Sequence, residues 1–157
     1  MNITAYENAK LIISQNPSVA DFVGGCSDEA LKKAEVLLGV ELSDQYKDFL
    51  STFGAGNFGA QEIFGIINDD FEKSSVPDGI WYTLTEREES NLPRDLLIIY
   101  DTGAGELYCL KYLDSHLNKE PIVVNYFPGY SLQNQPYKII ANDFGELLQM
   151  LVKEELE

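Results

Sequence analysis

Gly54-Ala55-Gly56-Asn57-Phe58-Gly59 spells G-x-G-x-x-G, the pattern with which dinucleotide-binding proteins bring backbone N–H groups up to a pyrophosphate. That chemistry needs a strand before the glycines and a helix after them. Here the apolar periodicity runs helix then strand, so the glycines read as a structural corner. Asp101-Thr102-Gly103 follows an apolar run, as in aspartic proteases, but those enzymes need two carboxylates sharing a proton. One triplet supplies one carboxylate, and Gly105 with a second strand pattern directly behind it marks a hairpin. Asp69-Asp70-x-Glu72 lacks the full spacing, central glycine and terminal Glu of a calcium loop. Cys26, Cys109 and the lone His116 are too scattered to build a zinc site or a disulfide framework, and no nucleophile has a histidine and an orienting acid to go with it. The expectation is a protein with no catalytic site, no metal and no cofactor.

Charge is the informative bulk property. Eleven Lys plus Arg stand against twenty-six Asp plus Glu, a net charge of -15 at pH 7. Direct nucleic-acid binding is disfavoured, because phosphate affinity comes from basic side chains that displace counterions. The acids either solvate loops or face a basic protein partner, and the two differ in whether they cluster in space. No run reaches the length of a membrane span, and residues 1–7 lack the basic and apolar regions of a signal peptide, so the expected location is cytoplasmic. The Asn2-Ile3-Thr4 sequon then carries no meaning. Residues 1–157 read as one domain, monomeric or weakly dimeric.

Periodicity places the elements that position these residues. Residues 2–14 have Ile3, Tyr6 and Ile13 at helical spacing before Asn16-Pro17, and residues 19–25 form a connector in which Phe22-Val23 suits a short extended piece. Ser27 opens a helix with Leu31, Ala34 and Leu38 as its stripe, and Gly39 stops it. Ser43 is positioned to cap the next helix, with Tyr46, Phe49, Leu50 and Phe53 on one face, Gly54 at its end and a buried strand at residues 63–67. Residues 68–78 are a polar loop with Phe71 in the middle, and residues 78–90 a helix carrying Trp81 and Leu84. Residues 96–100 and 106–112 are paired strands, 113–120 a loop with His116, 121–126 a strand, 127–130 a turn, and 136–141 an aromatic segment. Asn142 caps the last helix, whose stripe is Phe144, Leu147, Leu148, Leu151 and Val152 and whose Glu154-Glu155-x-Glu157 tail frays. The expected fold is α+β, a mostly antiparallel sheet of about five or six strands with helices packed mainly on one face and the first and last helices close together.

The run Leu38-Gly39-Val40-Glu41-Leu42-Ser43-Asp44-Gln45-Tyr46-Lys47-Asp48-Phe49-Leu50, then Phe53-Gly54-Ala55-Gly56 and Ile63-Phe64-Gly65-Ile66, resembles the SMI1/KNR4 (SUKH) superfamily. The likeness continues at Leu92-Pro93, Leu96 to Tyr100, Gly105 to Leu110 and Phe144 to Leu148. Ser43 stands where the family pattern has proline; both start helices. The resemblance implies a non-enzymatic binding protein. Its bacterial form is an immunity protein that blocks a cognate polymorphic or contact-dependent toxin domain, and its fungal form an intracellular scaffold in cell-wall signalling. A toxin acting on nucleic acid has a basic cleft, so an acidic cover is the expected mode, with Asp69, Asp70, Glu72, Asp78, Asp101 and Glu106 as its charges and Phe58, Phe71 and Tyr130 as apolar contacts.

Overall fold

In the computed structural model, which describes residues 3–112 and 119–157, helix α3 (Asp44–Thr52) forms the centre of the core. Its Tyr46, Phe49 and Leu50 fall on one face and are fully buried. Helix α5 (Phe144–Leu156) packs its Phe144 edge-on against Tyr46 and Phe49, with ring centroids 5.1 and 5.2 Å away. Helix α1 (Ala5–Gln15) lies against α5, and Gly145 is the reason it can: a Cβ there would stand 2.5 Å from the Tyr6 Cβ. Helix α2 (Asp28–Leu38) adds Ala30, Leu31, Ala34 and Leu38 to the same core.

The strands are antiparallel but fall into two sheets. One has the order β1 (Ala20–Phe22), β2 (Gly56–Phe58) and β3 (Gln61–Ile63); the other runs β4 (Leu96–Asp101), β5 (Leu107–Lys111), β6 (Ile122–Tyr126) and β7 (Ile139–Ala141). The α+β class, the antiparallel pairing and the neighbouring terminal helices are as expected. The division of the sheet is new, and it arises at Phe64-Gly65. There the chain leaves β3 and donates from the Phe64 N–H to the Ile99 carbonyl of β4 at 3.0 Å, while the Tyr46 hydroxyl donates to the Phe64 carbonyl at 2.8 Å. Gly65 then turns aside to exchange backbone hydrogen bonds with Pro77 and Gly79, both 2.8 Å.

Helix α4 (Gly79–Glu89) closes the β4 edge, where the Thr83 hydroxyl accepts from the Ile98 N–H at 3.0 Å. Leu97, Ile99, Leu110 and Val123 face the helices, whereas Leu96, Ile98, Leu107, Cys109, Val124 and Tyr126 form a smaller core on the other face with Phe64 and Leu92. Most helices therefore cover one face, as periodicity suggested. Among the described residues no helix is long and apolar enough to cross a membrane.

Local chemistry departs from expectation in three places. Ser43 takes the N-cap position but its side chain makes no capping bond; its Oγ lies 3.3 Å from the Tyr112 hydroxyl. Asp143 rather than Asn142 caps α5, accepting from the Glu146 N–H at 2.8 Å. The glycine corner contains β2, and a Cβ on Gly56 would stand 2.3 Å from the Asp21 carbonyl of β1, so Gly56 admits a neighbouring strand. The predicted loop at 113–120 with His116, and Asn2 of the sequon, lie largely outside the described residues.

Gly65 tests the junction between the sheets. A Cβ there would stand 1.8 Å from the Gly54 carbonyl, which is itself fixed by accepting from the Ile66 N–H. Gly65→Ala is expected to cost about 3 kcal/mol or more in urea unfolding, through overpacking against backbone. Gly103→Ala, in open space at φ 81°, should cost only about 1 kcal/mol.

Candidate functional site

The nine residues expected to meet a partner separate into three groups. Phe58, Phe71 and Asp78 lie inside the protein, with relative exposures of 0%, 3% and 0%. Phe58 is a core residue of β2. Phe71 is the apolar anchor of its loop, with the Lys33 ammonium 5.8 Å from its ring. Asp78 is the N-cap of α4: one oxygen accepts from the Ile80 and Trp81 N–H groups, both at 3.0 Å, and the other from the Ser74 hydroxyl at 2.9 Å. None of the three is available to a partner in this structure. Sequence alone could not separate them from the exposed set, because a loop aromatic and a loop aspartate look the same whether they point in or out.

Asp69, Asp70 and Glu72 form a second group, exposed on the loop after β3. They are partly engaged within the protein. Lys33 donates to the Asp69 carbonyl at 2.7 Å, and Asp70 accepts from the backbone N–H groups of Glu72 and Lys73 at 3.1 Å, bonds that hold its carboxyl below the ordinary range.

Asp101, Glu106 and Tyr130 form the third group, around the β4–β5 hairpin tip. Asp101 lines a shallow hollow of about 250 Å³ with Tyr82, Gly103, Gly105, Leu107 and Pro128. Tyr130 stacks on Phe127 beside that Pro128, with centroids 5.0 Å apart. The hollow falls below the ligand-pocket range of about 300–1,000 Å³. Glu106 accepts from the Asn125 side-chain amide at 2.9 Å.

Glu106 also leads to a surface that sequence reading missed. Tyr100 and Tyr108 are cross-strand partners, stacked with centroids 5.5 Å apart and 26° between planes. Strict alternation would send Tyr100 to the same face as Leu96 and Ile98. A register shift between Ile98 and Tyr100 leaves Ile99 as the extra residue of a bulge and turns Tyr100 onto the helical face beside Tyr108. Both rings stay half-buried there, at the end of the helix layer. The Tyr100 hydroxyl donates to the Gln61 side chain at 2.5 Å. The last turn of α5 closes one side, and its Glu155 accepts from the Ala60 N–H at 2.8 Å, so this end of the chain is tied down where fraying was expected.

The electrostatics of this face are one-sided. Burial raises both phenol pKa values first; Glu154, Asp101 and Glu155 add to it at Tyr100, and Glu106 and Glu154 at Tyr108. Among the described residues only two ion pairs form, Lys10–Asp48 at 2.9 Å and Lys47–Glu35 at 3.8 Å, and neither involves these acids. Both thiols are poor nucleophiles, since burial pushes Cys26 and Cys109 up, and among the described residues no group of three His, Cys, Asp or Glu could hold a metal ion.

The fold is an α+β domain with two antiparallel sheets. The family described as SMI1-KNR4 cell-wall, SUKH_6, matches residues 28–148, and the chain belongs to it. No curated protein matches the chain.

Asp78 sets a pH test of its capping role. Burial raises its pKa, so over the window from the ordinary carboxylate value up to its own the folded protein holds a proton that the unfolded chain has released. Its contribution to stability therefore falls as pH rises through that window. Asp78→Asn should flatten this slope in urea titrations between pH 3.5 and 7, whereas Asp78→Ala, which loses three hydrogen bonds, should cost about 2 kcal/mol.

Proposed function

We propose that this protein is a cytoplasmic immunity protein that binds a cognate toxin domain, one acting on nucleic acid, and blocks it through its acidic surface. The observation that carries this reading is the Tyr100–Tyr108 face, where half-buried rings meet carboxylates that make no ion pair within the described chain, on a domain of the SMI1-KNR4 family. An enzyme acting on nucleic acid gathers basic side chains around the phosphate path. A net charge of -15 steers the two together, and acids that form no ion pair within the described chain are available for that encounter. The exposed Asp69, Asp70 and Glu72 add to the steering field. Tight binding comes from desolvated aromatic anchors, which the tyrosine pair supplies and the acidic loop lacks. The protein needs no catalytic group for this role, since occupying the cleft is the inhibition.

The cell-wall term in the family's description favours a second reading, an intracellular scaffold that holds a signalling partner without any toxin. Co-expression separates the two. The C-terminal domain encoded by the neighbouring reading frame should arrest growth alone, be tolerated with this chain, and co-purify with it at one to one. A neighbour that is harmless alone and does not bind would overturn the immunity reading in favour of the scaffold.

A further inference from the structure

We propose that the Tyr100–Tyr108 face docks an arginine-bearing basic segment of a partner protein, with a guanidinium laid against the rings and its N–H fork shared between Glu106 and Glu154. This rests on the partner-binding function proposed above and names the surface and the partner chemistry for it.

The chain's own contacts show what such a face takes up. Three other aromatic rings each have an ammonium of this chain against them: Lys10 lies 5.4 Å from the Tyr6 centroid, Lys33 5.8 Å from Phe71 and Lys111 4.6 Å from Tyr137. Among the described residues no Lys or Arg lies over Tyr100 or Tyr108, although carboxylates surround this pair. Lys153 precedes Glu154 on α5 but lies over neither ring. A cation over this pair is therefore left for a partner to supply.

Geometry favours arginine over lysine. A planar guanidinium stacks on an aromatic face and still offers a rigid fork of donors to carboxylates at the rim, which a compact ammonium cannot do together. The face is also held in place before binding. The bulge fixes the Tyr100 backbone, Gln61 holds the Tyr100 hydroxyl at 2.5 Å, and Asn125 holds the Glu106 carboxylate at 2.9 Å. Of the face's groups only the exposed Glu154 side chain is left for a partner to order.

The test titrates the full chain with nona-arginine and nona-lysine peptides while following the tyrosine ring resonances by NMR, assigned through Tyr100→Phe and Tyr108→Phe. Nona-arginine should shift the rings of Tyr100 and Tyr108 and bind about fivefold more tightly than nona-lysine. Tyr108→Leu and Glu154→Gln should each weaken it about tenfold, and Tyr108→Phe, which keeps the ring, should retain it. Glu72→Gln on the other acidic loop should change it less than about twofold. Glu154 is exposed and makes no hydrogen bond within the described chain beyond its helix, so Glu154→Gln reports on binding even if Tyr108→Leu fails to fold.

Shifts confined to residues 68–73, or equal affinity for both peptides with no change at either ring, would overturn the proposal. So would a dimer in sedimentation that Tyr108→Leu dissociates, since that assigns the face to a second copy. If the chain protects cells while nona-arginine ignores the tyrosines, this surface fails and immunity stands. If the peptide seats on the rings while the neighbouring frame proves harmless, the surface stands and immunity fails.

Discussion

The two residues Phe64 and Gly65 join what would otherwise be separate halves of the molecule. The Phe64 N–H reaches the Ile99 carbonyl of β4, and its own carbonyl receives the hydroxyl of Tyr46, which is fully buried on α3. One step on, Gly65 pairs with Pro77 and Gly79, which start α4. A short stretch of backbone thus ties the three-stranded sheet, the central helix, the four-stranded sheet and the edge helix together. All of these groups but the Pro77 carbonyl belong to buried residues, where one left unpaired would cost about 1–3 kcal/mol, and the arrangement tolerates little variation. Gly65 belongs there because the Gly54 carbonyl occupies the space of a Cβ.

The Tyr100–Tyr108 face depends on this junction at second hand. With β4 fixed at Ile99 and Ile98 satisfied by the Thr83 hydroxyl, the strand absorbs an extra residue as a bulge just before Tyr100. The bulge moves a large aromatic from the covered face of the sheet to the end of the helix layer. There α5 is anchored through Glu155 to Ala60 of the β2–β3 turn, next to the Gln61 that holds the Tyr100 hydroxyl. The face is therefore assembled by segments far apart in the chain, each held by its own hydrogen bond.

Acidity plays different parts in different places on this protein. Asp78 and Asp143 cap helices, Asp70 closes a turn, and Asp48 is paired with Lys10 and Tyr6. These carboxylates stabilise structure and have limited capacity left for a partner. Around Tyr100 and Tyr108, Asp101 accepts from the Gly103 N–H, Glu106 from the Asn125 amide and Glu155 from the Ala60 N–H, and none of these acids or Glu154 forms an ion pair among the described residues.

By itself the sequence determined the class of the fold and most of its elements, since apolar spacing on α2, α3 and α5, and Gly39 and Gly54 after helices, reflect local geometry that each segment imposes alone. It also argued against the nucleotide and protease readings, whose chemistry needs a context that can be read along the chain. Which of the loop acids and aromatics face outward was decided only in three dimensions. Phe71 and Phe58 turned inward because the core had space to fill, and Asp78 because a buried helix start needed an acceptor. Tyr100 turned onto the helix-covered face, where it stays half-buried beside Tyr108, because one inserted residue reversed the alternation. Pattern within a segment fixes which residues share a face of that segment; which face meets solvent depends on what packs against it, and that is a property of the whole fold.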